Sequence, residues 1–237
     1  KREKMMRKQL QQMIAGWAGA ALLATAGIAT AEPLEAVTGL DVHDPQAFLA
    51  GLDRYYQTDA AQNGNVVIWA MDFAGESQIS HLAIGNFDSY ADYEKTTSDR
   101  SQSAEWGAFI GSARDYLDVE SRLMAIERFR DGSGWEGHGA MAAFVMTVTD
   151  PAAYAEAFTE LTGSMDNPGS VRLMELRFGG RGATHAALIS AANVAALNNY
   201  LDELMGSDEY RRFARKVRDI RTIQNVEMLR RVRSYGD

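Results

Sequence analysis

The chain contains no cysteine. That excludes disulfides, thiolate metal ligands, thiol nucleophiles, c-type haem attachment and a lipoprotein anchor together. Histidine is almost as scarce. His43, His81, His138 and His185 are dispersed, without H-x-x-x-H or H-E-x-x-H spacing, so no metal site is expected. There are four prolines in 237 residues, and two of them follow aspartates, in Asp44-Pro45 and Asp150-Pro151. Positive charge is in deficit: 24 Lys and Arg against 32 Asp and Glu, a net charge of −8. Such a chain is repelled by nucleic acid and anionic lipid, so neither is expected as a partner.

What is present begins with a leader-like stretch. Lys1–Lys8 is basic, and Met13–Ala31 is apolar and uncharged, ending Ala29-Thr30-Ala31 before Glu32-Pro33. This is the pattern of a secretory signal peptide over residues 1–31, cleaved after Ala31. It predicts a periplasmic or secreted protein with no membrane attachment once the signal is removed. The remainder carries 19 bases against 31 acids, unevenly shared: residues 32–134 hold 18 acids and 7 bases, residues 135–237 hold 13 and 12. A basic run from Arg211 to Arg233 lies near the C-terminus. It is read as a solvated helix face, as a surface docked on the acidic first half, or as a contact for a partner or a second copy.

The chain then says one thing twice. Val66–Asp88 and Val171–Ala191 are each an apolar run, a Gly-containing turn, and a second apolar run opening at a histidine. Around each, strand and helix signals fall in the order β-α-β-β-α-β. Leu34–Val42 is a strand, and Asp44 caps a helix with Pro45 in its first turn. The hairpin Val66–Phe73 and Ser80–Phe87 follows, then a helical region over Ser89–Val119, broken near Ser98–Ser103, then a strand at Arg122–Phe129. Asp131–Gly139 is Gly-dense and reads as a junction. Beyond it come the strand Ala140–Thr149, a helix capped by Asp150, the second hairpin, helices Asn193–Leu204 and Asp208–Ile220, and the strand Ile223–Val232.

Paired residues support the repeat: Phe73 with Phe178, Gly75 with Gly180, His81 with His185, Tyr93 with Tyr200, Phe109 with Phe213 and Met124 with Met228. The offsets stay within 104–107. Two repeats are therefore expected, over 32–130 and 140–237, joined by 131–139. A β-α-β-β-α-β unit puts both helices on one face of its sheet. Strands apolar on both faces need cover on the other face as well. The expected fold is α+β: two ferredoxin-like repeats whose antiparallel sheets pack face to face as a pseudo-dimeric α/β barrel, helices outside, around a core or cavity. In element order and in these echoes the chain resembles the dimeric α/β-barrel superfamily, with two halves fused in one polypeptide. That superfamily includes cofactor-independent monooxygenases, haem-degrading monooxygenases, chlorite-dismutase-like haem proteins, isomerases and members without known activity. The resemblance therefore implies a fold and leaves function open.

His81 and His185 are the candidate catalytic residues. Each would act as a general base or ligand if its strand face lines the inter-sheet space, or would hold the preceding turn if it does not. Trp69 is a candidate cavity wall or core residue. Glu175 and Arg177, and Glu227 and Arg231, share strand faces; they would form an internal polar pocket for a ligand or face solvent at an edge. Haem would need one axial histidine, His185 by default. Three functions follow: an exported barrel binding a small apolar or aromatic molecule or serving as a non-catalytic assembly subunit; a cofactor-independent monooxygenase-like enzyme on an aromatic or polycyclic substrate; or a haem-binding chlorite-dismutase-like protein.

Overall fold

A computed structural model describes residues 32–61, 64–75, 77–134 and 137–236. The signal-peptide stretch and Trp135 of the junction lie outside the described residues. The first half runs β1 (Leu34–Val42), α1 (Pro45–Tyr56), β2 (Val66–Phe73), β3 (His81–Phe87), α2 (Tyr90–Gln102), α3 (Ala104–Ala113), β4 (Leu117–Gly132). The second runs β5 (Ala140–Val148), α4 (Pro151–Thr162), β6 (Gly169–Phe178), β7 (His185–Ala191), α5 (Val194–Gly206), α6 (Asp208–Val217), β8 (Arg221–Tyr235).

Helix starts are set locally, and in matched pairs. Asp44 accepts the amide of Ala47 at 3.0 Å, and Asp150 that of Ala153 at 3.1 Å. Ser89 and Asn193 cap α2 and α5, and Ser103 and Ser207 cap α3 and α6. Each such cap contributes about 1 kcal/mol. Ser103 and Ser207 also end the preceding helices in extended backbone, so each half has two short helices there. The helical region expected to reach Val119 stops at Ala113. Leu117 and Val119 belong to a strand, because Tyr116 closes the turn and gives its carbonyl to the amides of His43 and Asp44.

The two sheets do not stay separate. Strand order is β1-β3-β2-β8-β5-β7-β6-β4, all pairs antiparallel, with β4 returning to β1 to close a barrel. The expected barrel is thus one continuous eight-stranded sheet, its two halves joined edge to edge. The length of β4 and β8 is the reason. Leu117–Ile126 pairs with β1 while Met124–Gly132 pairs with β6; Arg221–Arg230 pairs with β5 while Met228–Tyr235 pairs with β2. Sequence patterning found only the middle of each long strand. Glycines bracket the β4–β6 seam: at Gly132 (φ 95°) and Gly179 (φ 78°) a Cβ would lie 2.1 Å from the carbonyl oxygens of Gly169 and Arg122.

The space between the two sheet halves is filled. Trp69, Met141, Met174 and Leu229 are fully buried there and pack with Val67 and Ile84. One end of this interior is polar. Arg172 of β6 donates to Glu35 of β1 at 2.5 Å and to Glu127 of β4 at 3.2 Å. The Arg172 and Glu35 side chains are 3% and 6% exposed, so this network ties the halves through the barrel. The basic run is engaged within the chain. Arg211, Arg212 and Lys216 of α6 pair with Asp208, Glu209 and Glu160 of the same half. The first half is reached by β8 instead, through Arg230–Asp72 and Arg233–Asp53. No helix among the described residues is long and apolar enough to cross a membrane.

Removing one partner of a buried ion pair strands the other charge. Arg172→Ala should therefore lower the unfolding free energy by about 3–5 kcal/mol. Joint replacement of Glu35 by Gln and Arg172 by Met should recover much of that loss. Urea unfolding monitored by tryptophan fluorescence measures both.

Candidate functional site

Outside the barrel, α1, α2 and α3 cover the sheet half β4-β1-β3-β2, and α4, α5 and α6 cover β8-β5-β7-β6. These two helix–sheet layers are built alike and packed differently. Strand registers give the equivalences. Thr38 faces Ala83 across β1–β3 as Phe144 faces Ala187 across β5–β7; Ala36 faces Gly85 as Ala142 faces Ile189. Matching the helix caps sets Thr96 and Arg100 of α2 against Tyr200 and Leu204 of α5. The sequence echo of Tyr93 with Tyr200 was thus out of phase: Tyr93 matches Leu197, and Tyr200 matches Thr96.

In the second half, Phe144, Ile189, Tyr200 and Leu204 pack with Tyr154 and Phe213 into one core, leaving a space of about 50 Å³. In the first half the same positions hold Thr38, Gly85, Thr96 and Arg100. There a cavity of about 700 Å³ lies between helices and sheet. Phe48 and Leu52 of α1 and Ile68 of β2 form its floor, and Trp106 and Phe109 of α3 one wall. Ile110, Val119 and Phe178 line it while remaining 36%, 49% and 66% exposed, so its rim is apolar and reaches solvent. Tyr56 and Arg100 bring polar groups to it: Arg100 Nη2 lies 3.5 Å from the Tyr56 hydroxyl, and the guanidinium carbon lies 5.4 Å from the Trp106 ring centre. Burial pushes the Tyr56 phenol up to about 12, so it remains a neutral hydroxyl.

The histidine pair sits at the helix-facing side of its strands, away from the inter-sheet space. His81 packs edge-on to Phe48 of α1, and His185 lies against Tyr154 of α4. Each Nδ1 is within hydrogen-bonding distance of the preceding hydroxyl, Ser80 Oγ at 3.0 Å and Thr184 Oγ1 at 2.9 Å. Those hydroxyls also accept the amides of Val42 and Val148. The unit thus fastens the turn before β3 to the end of β1, and the turn before β7 to the end of β5. Burial lowers the pKa of both imidazoles, with Glu175 partly opposing at His185.

The other sequence candidates are dispersed. Trp69 is at the centre of the filled barrel. Glu175 accepts from Arg128 at 2.7 Å and Arg177 at 2.9 Å on the outer face, half-buried at most. Glu227 faces the barrel, where burial raises its carboxyl pKa and Asn225 donates to it at 2.9 Å. Arg231 lies beside Glu35 and Glu127 on a polar groove of about 760 Å³ at the barrel's end. That groove mixes charges of both signs, and Glu127 is already bonded there to Arg130 and Arg172. The cavity residues Thr38, Gly85, Arg100 and Arg122 carry no single-residue signal in the sequence. Their signal is a contrast between the repeats: small or charged residues where the second half has large apolar ones.

The sequence matches no protein-family profile and no curated relative. Solved structures match it in fold. A candidate monooxygenase from Lactobacillus acidophilus superposes with a TM-score of 0.61 at 11% identity, over 86% of this chain and 96% of that one. An anthrone oxidase-like protein gives 0.57 at 12% identity, over 86% and 94%. A chlorite dismutase from Candidatus Nitrospira defluvii gives 0.53 at 8% identity, over 85% and 91%. The chain shares the α+β barrel fold of these dimeric α/β-barrel proteins. At such identities the chemistry must be read from the residues.

Haem fits those residues poorly. No histidine is among the cavity's lining residues, whereas an axial imidazole is the usual anchor. His185 faces the filled half, where about 50 Å³ remains. Nor do the described residues include a cluster of three metal-ligating side chains.

Because the folded pKa of His81 and of His185 lies below 6.5, the unfolded chain binds more protons between the folded value and about 6.5. Their contribution is complete above that pH and falls away as pH drops below it. His138 adds to the same slope, lowered by burial with Arg231 and Arg172 nearby. Glu227, its pKa raised, acts oppositely, losing its contribution as pH rises through its folded value. The variant carrying His81→Asn and His185→Asn should lose less stability than wild type between pH 7.5 and 5.5, measured as urea midpoints.

Proposed function

We propose that this protein is an exported, tandem α/β-barrel binder of small molecules, and that the first-half cavity takes an apolar or aromatic ligand. One observation carries the reading: the same layer exists twice, and only the first is hollow. Loss of packing at Thr38 and Gly85 sacrifices core contacts that the second half retains at Phe144 and Ile189, which a purely structural layer has no reason to do. The volume of about 700 Å³ is within the usual range for ligand pockets, and an apolar lining with few polar groups is their common make-up. The chain is read as a fused pair of ferredoxin-like repeats, the second completing the barrel as a structural partner. The basic Lys1–Lys8 and apolar Met13–Ala31 stretches support export to the periplasm or beyond.

A monooxygenase-like activity on an aromatic substrate is the second reading, favoured by the likeness in fold to a candidate monooxygenase and an anthrone oxidase-like protein. The lining residues include no carboxylate and no imidazole, so the obvious general bases are missing, and binding is preferred.

The neutral fluorophore N-phenyl-1-naphthylamine should bind wild type with enhanced, blue-shifted emission. Thr38→Phe restores the residue type of the filled half and should weaken that binding by at least about tenfold, the loss expected when an aromatic's apolar burial is blocked, without lowering the melting temperature. Phe144→Thr in the second half should leave dye affinity unchanged. Wild type that fails to bind, or Thr38→Phe that binds equally well, sinks the reading.

A further inference from the structure

The ligand's charge can be read from the same cavity, an inference that rests on its being a binding site. The first half is strongly acidic, with 18 acids and 7 bases over residues 32–134. Yet the charged residues lining the cavity are Arg100 and Arg122, without one acid among them. Both stand where the filled half is apolar. Arg100 matches Leu204, which is 6% exposed. Arg122 faces Thr38 across β1–β4 as Val226 faces Phe144 across β5–β8. The reverse case exists once: Arg221 occupies the position of Leu117, but its guanidinium lies over the Phe213 ring at 5.3 Å beside a space of only about 50 Å³.

The Arg100 side chain is held in place. It lies over Trp106 and within reach of the Tyr56 hydroxyl, and it passes so close to Gly64 that a Cβ there would be 2.1 Å from Nη2. No ion pair joins Arg100 or Arg122 to a carboxylate among the described residues, whereas nine other arginines have one. A half-buried guanidinium beside an apolar cavity, bonded to the Tyr55 and Tyr56 hydroxyls but to no carboxylate in a chain rich in them, leaves its charge to be met by an anion from outside. The neutral Tyr56 hydroxyl supplies a further donor nearby.

We propose that the cavity selects apolar or aromatic monoanions, such as carboxylates, sulfonates or phenolates, with the apolar body against Phe48, Leu52 and Phe109 and the anionic group toward Arg100 and the rim at Arg122. Neutral ligands of the same shape bind less well relative to their hydrophobicity, and cations are rejected.

The test compares N-phenyl-1-naphthylamine with 8-anilinonaphthalene-1-sulfonate, the same ring system carrying one sulfonate, by fluorescence titration of the whole protein. The ratio of anionic to neutral affinity should fall at least about tenfold in Arg100→Leu, the loss expected for one charge-assisted hydrogen bond, and further when Arg122→Val is added. Arg100→Lys keeps the charge and should restore part of the ratio, which a merely structural role would not do. The ratio should also shrink with added salt. A ratio unchanged in the double variant overturns the anion assignment while leaving the cavity as a neutral site. Failure of the neutral dye to bind wild type defeats the binding-site reading and this inference together.

Discussion

Closure of the barrel is the constraint from which the rest follows. A four-stranded ferredoxin-like sheet has two open edges and one bare face. Here β2 pairs with β8 and β4 with β6, so both edges of each half are satisfied by the other. The bare faces meet in the same act, around Trp69, Met174 and Leu229. Backbone hydrogen bonds and apolar burial thus depend on a single geometric event. The buried Glu35–Arg172 pair adds a cross-barrel tie at one end of that interior. Its net contribution to stability is small, since the cost of desolvating both charges offsets most of their attraction.

With closure supplied by backbone pairing and the inner faces, the outer layers are less tightly constrained. The two layers show what that permits. Around Phe144, Ile189, Tyr200 and Leu204 the second is an ordinary close-packed core. The first keeps the apolar floor from Phe48, Leu52 and Ile68 but gives up the side chains that would meet it from strand and helix. The proposed ligand recognition rests on that difference, and the histidine pair, present in both layers, does not distinguish them. A feature repeated in both halves is first an attribute of the fold, whereas one present in a single half calls for a separate explanation.

Much of the architecture was legible in the sequence because it rests on local chemistry. Asp44-Pro45 and Asp150-Pro151 marked helix starts, and paired apolar runs around Gly-containing turns marked β2, β3, β6 and β7. The long strands were read short because their outer ends alternate charged and apolar residues, as in Leu117–Glu120, and Glu105–Ala113 before them reads as helix. The barrel itself was expected, but which edge meets which was not legible, because it is fixed by pairings more than 40 residues apart, as in Ile126 with Glu175. Those pairings leave no periodic trace. The site was the least legible. Residues shared by the halves, such as His81 and His185, stand out in a sequence, whereas the proposed site rests on positions that the halves do not share. Charge on a strand was also an ambiguous sign: Glu175 and Arg177 turned outward, while Arg172, two residues after the start of the same apolar run at Ser170, turned into the barrel.

The crossed pairing of β4 and β8 has one more consequence. Each long strand begins in its own half and ends in the other's, so the Gly-rich junction at 131–139 is a boundary in the chain without being a seam in the molecule. Severing the chain there would leave two fragments that reassemble only by finding each other, since either alone would expose the strand ends its twin covers.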